Sequence, residues 1–123
     1  MTRRVSFLSF GTLAIAMALP PARGAPCAKL SLREAEMLIY LMPVGEKLRS
    51  EGMDISWERA PKAETNSNTY VFWVFNSKRA GTGSVTIGYY EVNKCSAVVR
   101  TSESGQVVSS SRLRAIQKIL TGT

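Results

Sequence analysis

The segment Thr69–Asn76, reading TYVFWVFN, limits the possible folds of this chain more than any other stretch. Seven of its eight residues are aromatic or β-branched, the types that fit the pleated surface of a strand. Successive side chains of a strand point to opposite faces. Tyr70, Phe72 and Val74 therefore share one face, and Val71, Trp73 and Phe75 the other. A strand that is apolar on both faces belongs inside a sheet and needs cover on both sides. The rest of the chain must supply that cover.

Towards the N-terminus, Ser31-Leu32-Arg33-Glu34 has the form of a capping box. Apolar residues then recur at Ala35, Leu38, Ile39 and Met42, the spacing of an amphipathic helix. Pro43 is expected to kink or end it, because its ring clashes with the carbonyl of Ile39 and it donates no hydrogen bond. The helix is expected to resume through Glu46 to Ser50, with Gly52 as a left-handed stop. Residues 54–59 alternate, with Ile55 and Trp57 on one face, and Pro61 closes that strand. Residues 77–83, SKRAGTG, read as a hairpin loop into a strand over 84–93, with Val85, Ile87 and Tyr89 on one face. Asn93-Lys94 makes a turn into a fourth strand over 96–101, and residues 106–109 are available to extend the sheet. Ser110 or Ser111 caps a last helix in which Leu113, Ile116 and Leu120 share a face. The expectation is an α+β domain: an N-terminal helix packed on a four-stranded antiparallel meander, with a short C-terminal helix.

Residues 1–24 read as a secretory signal peptide. Arg3 and Arg4 precede an apolar run over residues 5–19, Pro20 and Pro21 end it, and Ala22-Arg23-Gly24 puts small residues at the −3 and −1 positions. Such a run is shorter than the ~20 residues a membrane-spanning helix needs. The working chain is then a single domain over 25–123, exported to the periplasm or the extracellular medium, with no stable membrane anchor once the leader is removed. Without Arg3, Arg4 and Arg23 the charge falls from +7 to +4, and it is interspersed rather than gathered in a run. This pattern reads as a solvated surface and excludes a nucleic-acid partner, which would want a basic stripe with interleaved aromatic residues. Cys27 and Cys95 both survive cleavage, and an oxidising compartment makes a disulfide between them the default.

The chain has no histidine. That removes serine–histidine and cysteine–histidine catalysis and histidine-ligated metals. Asp54 is the lone aspartate, so paired carboxylates would have to come from the eight glutamates. Six of these (Glu34, Glu36, Glu46, Glu51, Glu58 and Glu64) fall on helix faces or beside loops and read as solvated surface. Gly81-Thr82-Gly83 lacks the spacing of a phosphate loop and precedes a strand. A serine–lysine dyad stays open on spacing alone. The expectation is a non-catalytic protein with no cofactor and no metal.

Two features point to binding. Trp57, Trp73, Tyr70, Phe72, Phe75, Tyr89 and Tyr90 crowd onto three neighbouring strands, where most are expected to fill the core. One long helix covers one sheet face, so the C-terminal helix, a second copy in a homodimer, or a bound protein or ligand must shield the other. Trp57, Trp73 and Tyr90 are the aromatic candidates for that role. The second feature is the hairpin tip, with Lys78, Arg79 and Thr82 as candidates, since loops on rigid strand pairs commonly carry recognition.

The helix-plus-meander order resembles the cystatin-like architecture. The stretch GYYEVNKCSAVV, residues 88–99, is similar to a pattern in small exported bacterial domains of the PepSY type, where a strand runs through a Tyr-x-Val-Asn-Lys turn into the next. The likeness spans residues 69–99. Here Cys95-Ser96 stands where the PepSY pattern continues Thr-Gly. Gln106-Val107-Val108-Ser109-Ser110 ends in serine where the cystatin Gln-x-Val-x-Gly hairpin has glycine. Both families include inhibitor-like members, so the resemblance implies binding rather than catalysis. The leading expectation is a small exported protein that binds another exported protein as an inhibitor or immunity protein. The alternative is a small-ligand carrier or sensor with the aromatic sheet face as its pocket.

Overall fold

The computed structural model describes residues 27–76 and 85–122. Residues 1–24, read above as a signal peptide, and the expected hairpin tip with Lys78, Arg79 and Thr82 lie outside the described residues.

Helix α1, Leu32–Tyr40, starts at the expected capping box. The Ser31 hydroxyl accepts from the Glu34 N–H at 3.1 Å, and the Ser31 N–H donates to the Glu34 carboxylate at 2.8 Å. Helix α2, Pro43–Ser50, opens with Pro43 at its first position, where a missing N–H is harmless. Pro43 thus divides two helices, and the second begins three residues earlier than expected. The corner between them is tight. A Cβ on Gly45 would stand 2.9 Å from the Tyr40 carbonyl oxygen and 3.0 Å from Ile55 Cδ1. Gly52, at φ +82°, turns the chain out of α2.

Five strands follow: β1 Ile55–Arg59, β2 Thr69–Asn76, β3 Val85–Asn93, β4 Val99–Thr101 and β5 Val107–Val108. They form one antiparallel meander in the order β1-β2-β3-β4-β5. A 3₁₀ turn, Pro61–Ala63, bridges β1 and β2. Helix α3, Ser111–Thr121, closes the chain, with the Ser110 hydroxyl accepting from the Leu113 N–H and Gly122 left-handed at its end. The α+β class is as expected, with five strands rather than four.

Two local expectations are corrected. The fourth strand begins at Val99, not at residue 96. The Asn93 side chain accepts from the N–H groups of Cys95 and Ser96, both at 2.9 Å, and Ala97 takes a left-handed φ of +63°. Those backbone groups are committed to the turn before a strand can form. The second correction concerns the faces of β3. A bulge beside Val74 and Phe75 makes Ile87 an extra residue, because Val74 pairs with Gly88 and Phe75 with Thr86. Ile87 packs against the core while Tyr89 is exposed on the opposite side, so Val85, Ile87 and Tyr89 do not share a face.

Both helical layers lie on the same side of the sheet. Leu38, Ile39, Met42 and Leu113 are fully buried in one cluster with Phe72, Val74, Val92 and Val99. The C-terminal helix therefore shields the same face as the N-terminal one. A disulfide joins Cys27 to Cys95, their Cα atoms 5.6 Å apart across a separation of 68 residues. It ties the approach to α1 to the β3–β4 turn, where the Leu30 N–H also donates to the Lys94 carbonyl at 2.8 Å. Among the described residues no helix is long and apolar enough to cross a membrane, and no cluster of metal-ligating side chains occurs.

Candidate binding face

With α1, α2 and α3 on the inner face, the outer face of the sheet has no α-helix over it among the described residues, and the 3₁₀ turn packs beside β2 where Val71 is buried. The strand register fixes what it carries. Trp73 of β2 lies between Glu58 of β1 and Tyr89 of β3, and Phe75 lies between Ser56 and Thr86. Directly paired residues share a face of the sheet, so Trp73, Phe75 and Tyr89 form one aromatic group. The Trp73 and Phe75 ring centroids are 4.3 Å apart, and the indole N–H donates to the Thr86 hydroxyl at 2.9 Å. Tyr89 is 42% exposed.

Beside this group is a recess of about 260 Å³ lined by Ala63, Thr65, Thr69, Val71, Tyr89, Glu91, Ser102 and Glu103. It forms where the loop after the 3₁₀ turn and the turn after β4 meet the same two strands. Glu64 holds that loop in place. Its carboxylate accepts from Arg59 at 3.0 and 3.1 Å and from the Val71 N–H at 3.0 Å. The Arg59 hydrogen bond, helped by that from Val71, keeps the Glu64 carboxyl below the usual carboxylate range, against the opposing effect of burial. With its side chain only 11% exposed, Glu64 is a structural latch rather than the solvated residue that sequence suggests.

The aromatic candidates separate. Trp73 belongs to the outer face. Trp57 and Tyr90 turn to the inner side and pack against the core. The Trp57 indole donates to Glu36 at 3.2 Å, and its ring meets Tyr40 edge-on at a centroid distance of 6.2 Å. These two rings, with Asp54, Ile55 and Ser56, line a surface groove of about 480 Å³ beside β1. Burial pushes the Tyr90 phenol pKa up. Phe75 and Tyr89, which sequence alone assigns to the core, join Trp73 instead. Glu91, Ser102 and Glu103 carry no sequence signal, because only the β2–β3–β4 pairing and the loop before β2 bring them together.

No family model matches the chain, and no curated protein matches it. Among solved structures, it is similar to a chain from the structure of a type VI secretion system effector–immunity complex from Pseudomonas protegens. The TM-score is 0.52 and the identity 16%, over 77% of this chain and 80% of that one. The likeness is one of fold.

Proposed function

We propose that this chain is a small exported protein-binding module of the immunity or inhibitor type, non-catalytic, which engages another protein through the outer face of its sheet. The observation that carries this reading is the Trp73–Phe75–Tyr89 group on a face that neither helical layer covers. Tyr89 is exposed and Trp73 and Phe75 are half-buried there, and contiguous apolar surface open to solvent on a small domain commonly marks an interaction site. Three things support it. The fold is shared with a chain from an effector–immunity complex. The Cys27–Cys95 disulfide suits an oxidising compartment, in line with the leader read from residues 1–24. The cystatin-like and PepSY-type resemblance, which has no family match behind it, points to inhibitor-like binding as well.

A small-ligand carrier is the weaker reading. The outer recess is smaller than the ~300–1,000 Å³ of typical ligand pockets, and in the larger groove Trp57 and Tyr40 are already engaged by Glu36 and Arg49. The test is capture from an exported-protein extract of the source cell on immobilised, oxidised protein. The expected result is one stoichiometric protein retained by the wild type and by Trp57→Phe, and lost with Trp73→Ser combined with Tyr89→Ser. An empty column, or capture indifferent to the Trp73 and Tyr89 changes, overturns the proposal.

A further inference from the structure

The outer face differs in charge from the rest of the molecule. The working chain is cationic, yet among the described residues the carboxylates beside the aromatic group form no ion pair. Glu58 flanks Trp73 directly, while Glu91 and Glu103 line the recess next to Tyr89. None of the three forms an ion pair with a described residue. Arg100, opposite Glu91 in the register, donates its Nη1 to the Gly105 carbonyl at 3.1 Å instead. Ser102 contributes to the wall of the same recess. The recess therefore combines two carboxylates outside any ion pair among the described residues with Thr65 and Thr69, against Val71 and Tyr89.

We infer that the outer face is built for a protein segment that lays apolar residues on Trp73, Phe75 and Tyr89 and inserts one arginine or lysine side chain into the Glu91–Glu103 recess. This rests on the outer-face reading above and names the chemistry of the partner. At about 260 Å³ the recess equals about nine water volumes, enough for one long side chain and too little for a folded element. The stem of such a residue lies along Val71 and Tyr89 while its head meets the carboxylates. Its N–H groups donate to the Glu91 and Glu103 carboxylates. Arginine fits best, since its planar fork serves two carboxylates at once.

Two synthetic peptides serve as probes, acetyl-Leu-Arg-Leu-amide and its neutral isostere with citrulline in place of arginine. Each is titrated to millimolar concentration into the oxidised protein, and amide and indole resonances are followed by NMR, with Trp57→Phe assigning the Trp73 indole. The arginine peptide is expected to shift the Trp73 indole and the amides of Glu91 and Ser102. Its affinity should exceed that of the citrulline peptide by about fivefold, the scale of a solvent-accessible charge pair. Glu91→Gln with Glu103→Gln should remove that preference, and both substitutions keep the side-chain volume and so the fold. Equal binding of both peptides at the outer face overturns the cationic inference and leaves the docking face standing. Shifts confined to the β1 groove, or none at all, overturn both. Outer-face resonances that move on dilution without peptide identify a second copy of this chain as the occupant, which also overturns the inference.

Discussion

Single residues set the geometry of both faces. Glu64 accepts three hydrogen bonds from Arg59 and Val71, and its depressed pKa makes the latch pH-sensitive. A carboxyl whose folded pKa lies below its unfolded value of about 4.3 stabilises the fold above that pH and stops doing so as pH falls through the folded value. The wild type should therefore lose stability on acidification below about pH 4.3 more steeply than Glu64→Gln, as read by urea unfolding across pH. Parallel curves would remove the latch from the account. Gly45 plays the matching role on the helical side. Gly45→Ala forces its Cβ against the backbone oxygen of Tyr40 and should cost about 1–3 kcal/mol, in the range of overpacking, measured as a lower denaturation midpoint.

At the scale of elements, the two sets of side chains on β2 divide structural from functional work. Phe72 is fully buried under both helical layers, whereas Tyr89, across the sheet from Trp73, is exposed. Phe72→Ala should destabilise by about 3–5 kcal/mol, and Tyr89→Ser by no more than about 0.5 kcal/mol. Equal losses in thermal unfolding would mean that the outer face is core. Much at this scale was legible in the sequence: Ser31 with Glu34, Pro43, Gly52 and Ser110 mark helix ends through local hydrogen bonding that needs no tertiary partner. What was not legible depends on pairing. The bulge beside Val74 and Phe75 inserts Ile87 and reverses the faces of β3. The Asn93 side chain takes the N–H groups of Cys95 and Ser96 and shortens β4. The recess joins Thr65, Glu91 and Ser102 from three separate parts of the chain, and Glu64 looks like surface until Arg59 and Val71 are seen around it.

For the molecule as a whole, the disulfide is a large share of stability, because the domain is small and Cys27 precedes every described helix and strand. Closing a loop of this length contributes roughly 4 kcal/mol in the chain-entropy model, the upper end of the usual range. Cys27→Ser with Cys95→Ser should lower the unfolding free energy by that amount under non-reducing conditions, and an unchanged denaturation midpoint would contradict it. The same closure fixes the segment before α1 against the β3–β4 turn, where the Tyr70 hydroxyl donates to the Leu30 carbonyl at 3.1 Å. Helix α1 is thereby held on the inner face with α2 and α3, and in the reading proposed above the outer face is left to a partner. The most direct measurement of that claim is oxidative footprinting by mass spectrometry of the free protein and of its captured complex. The account predicts that Trp73, Phe75 and Tyr89 are labelled when free and protected in the complex, while Trp57 and Tyr40 are labelled equally in both. Protection of Trp57 and Tyr40, with the outer-face aromatics unchanged, would contradict it.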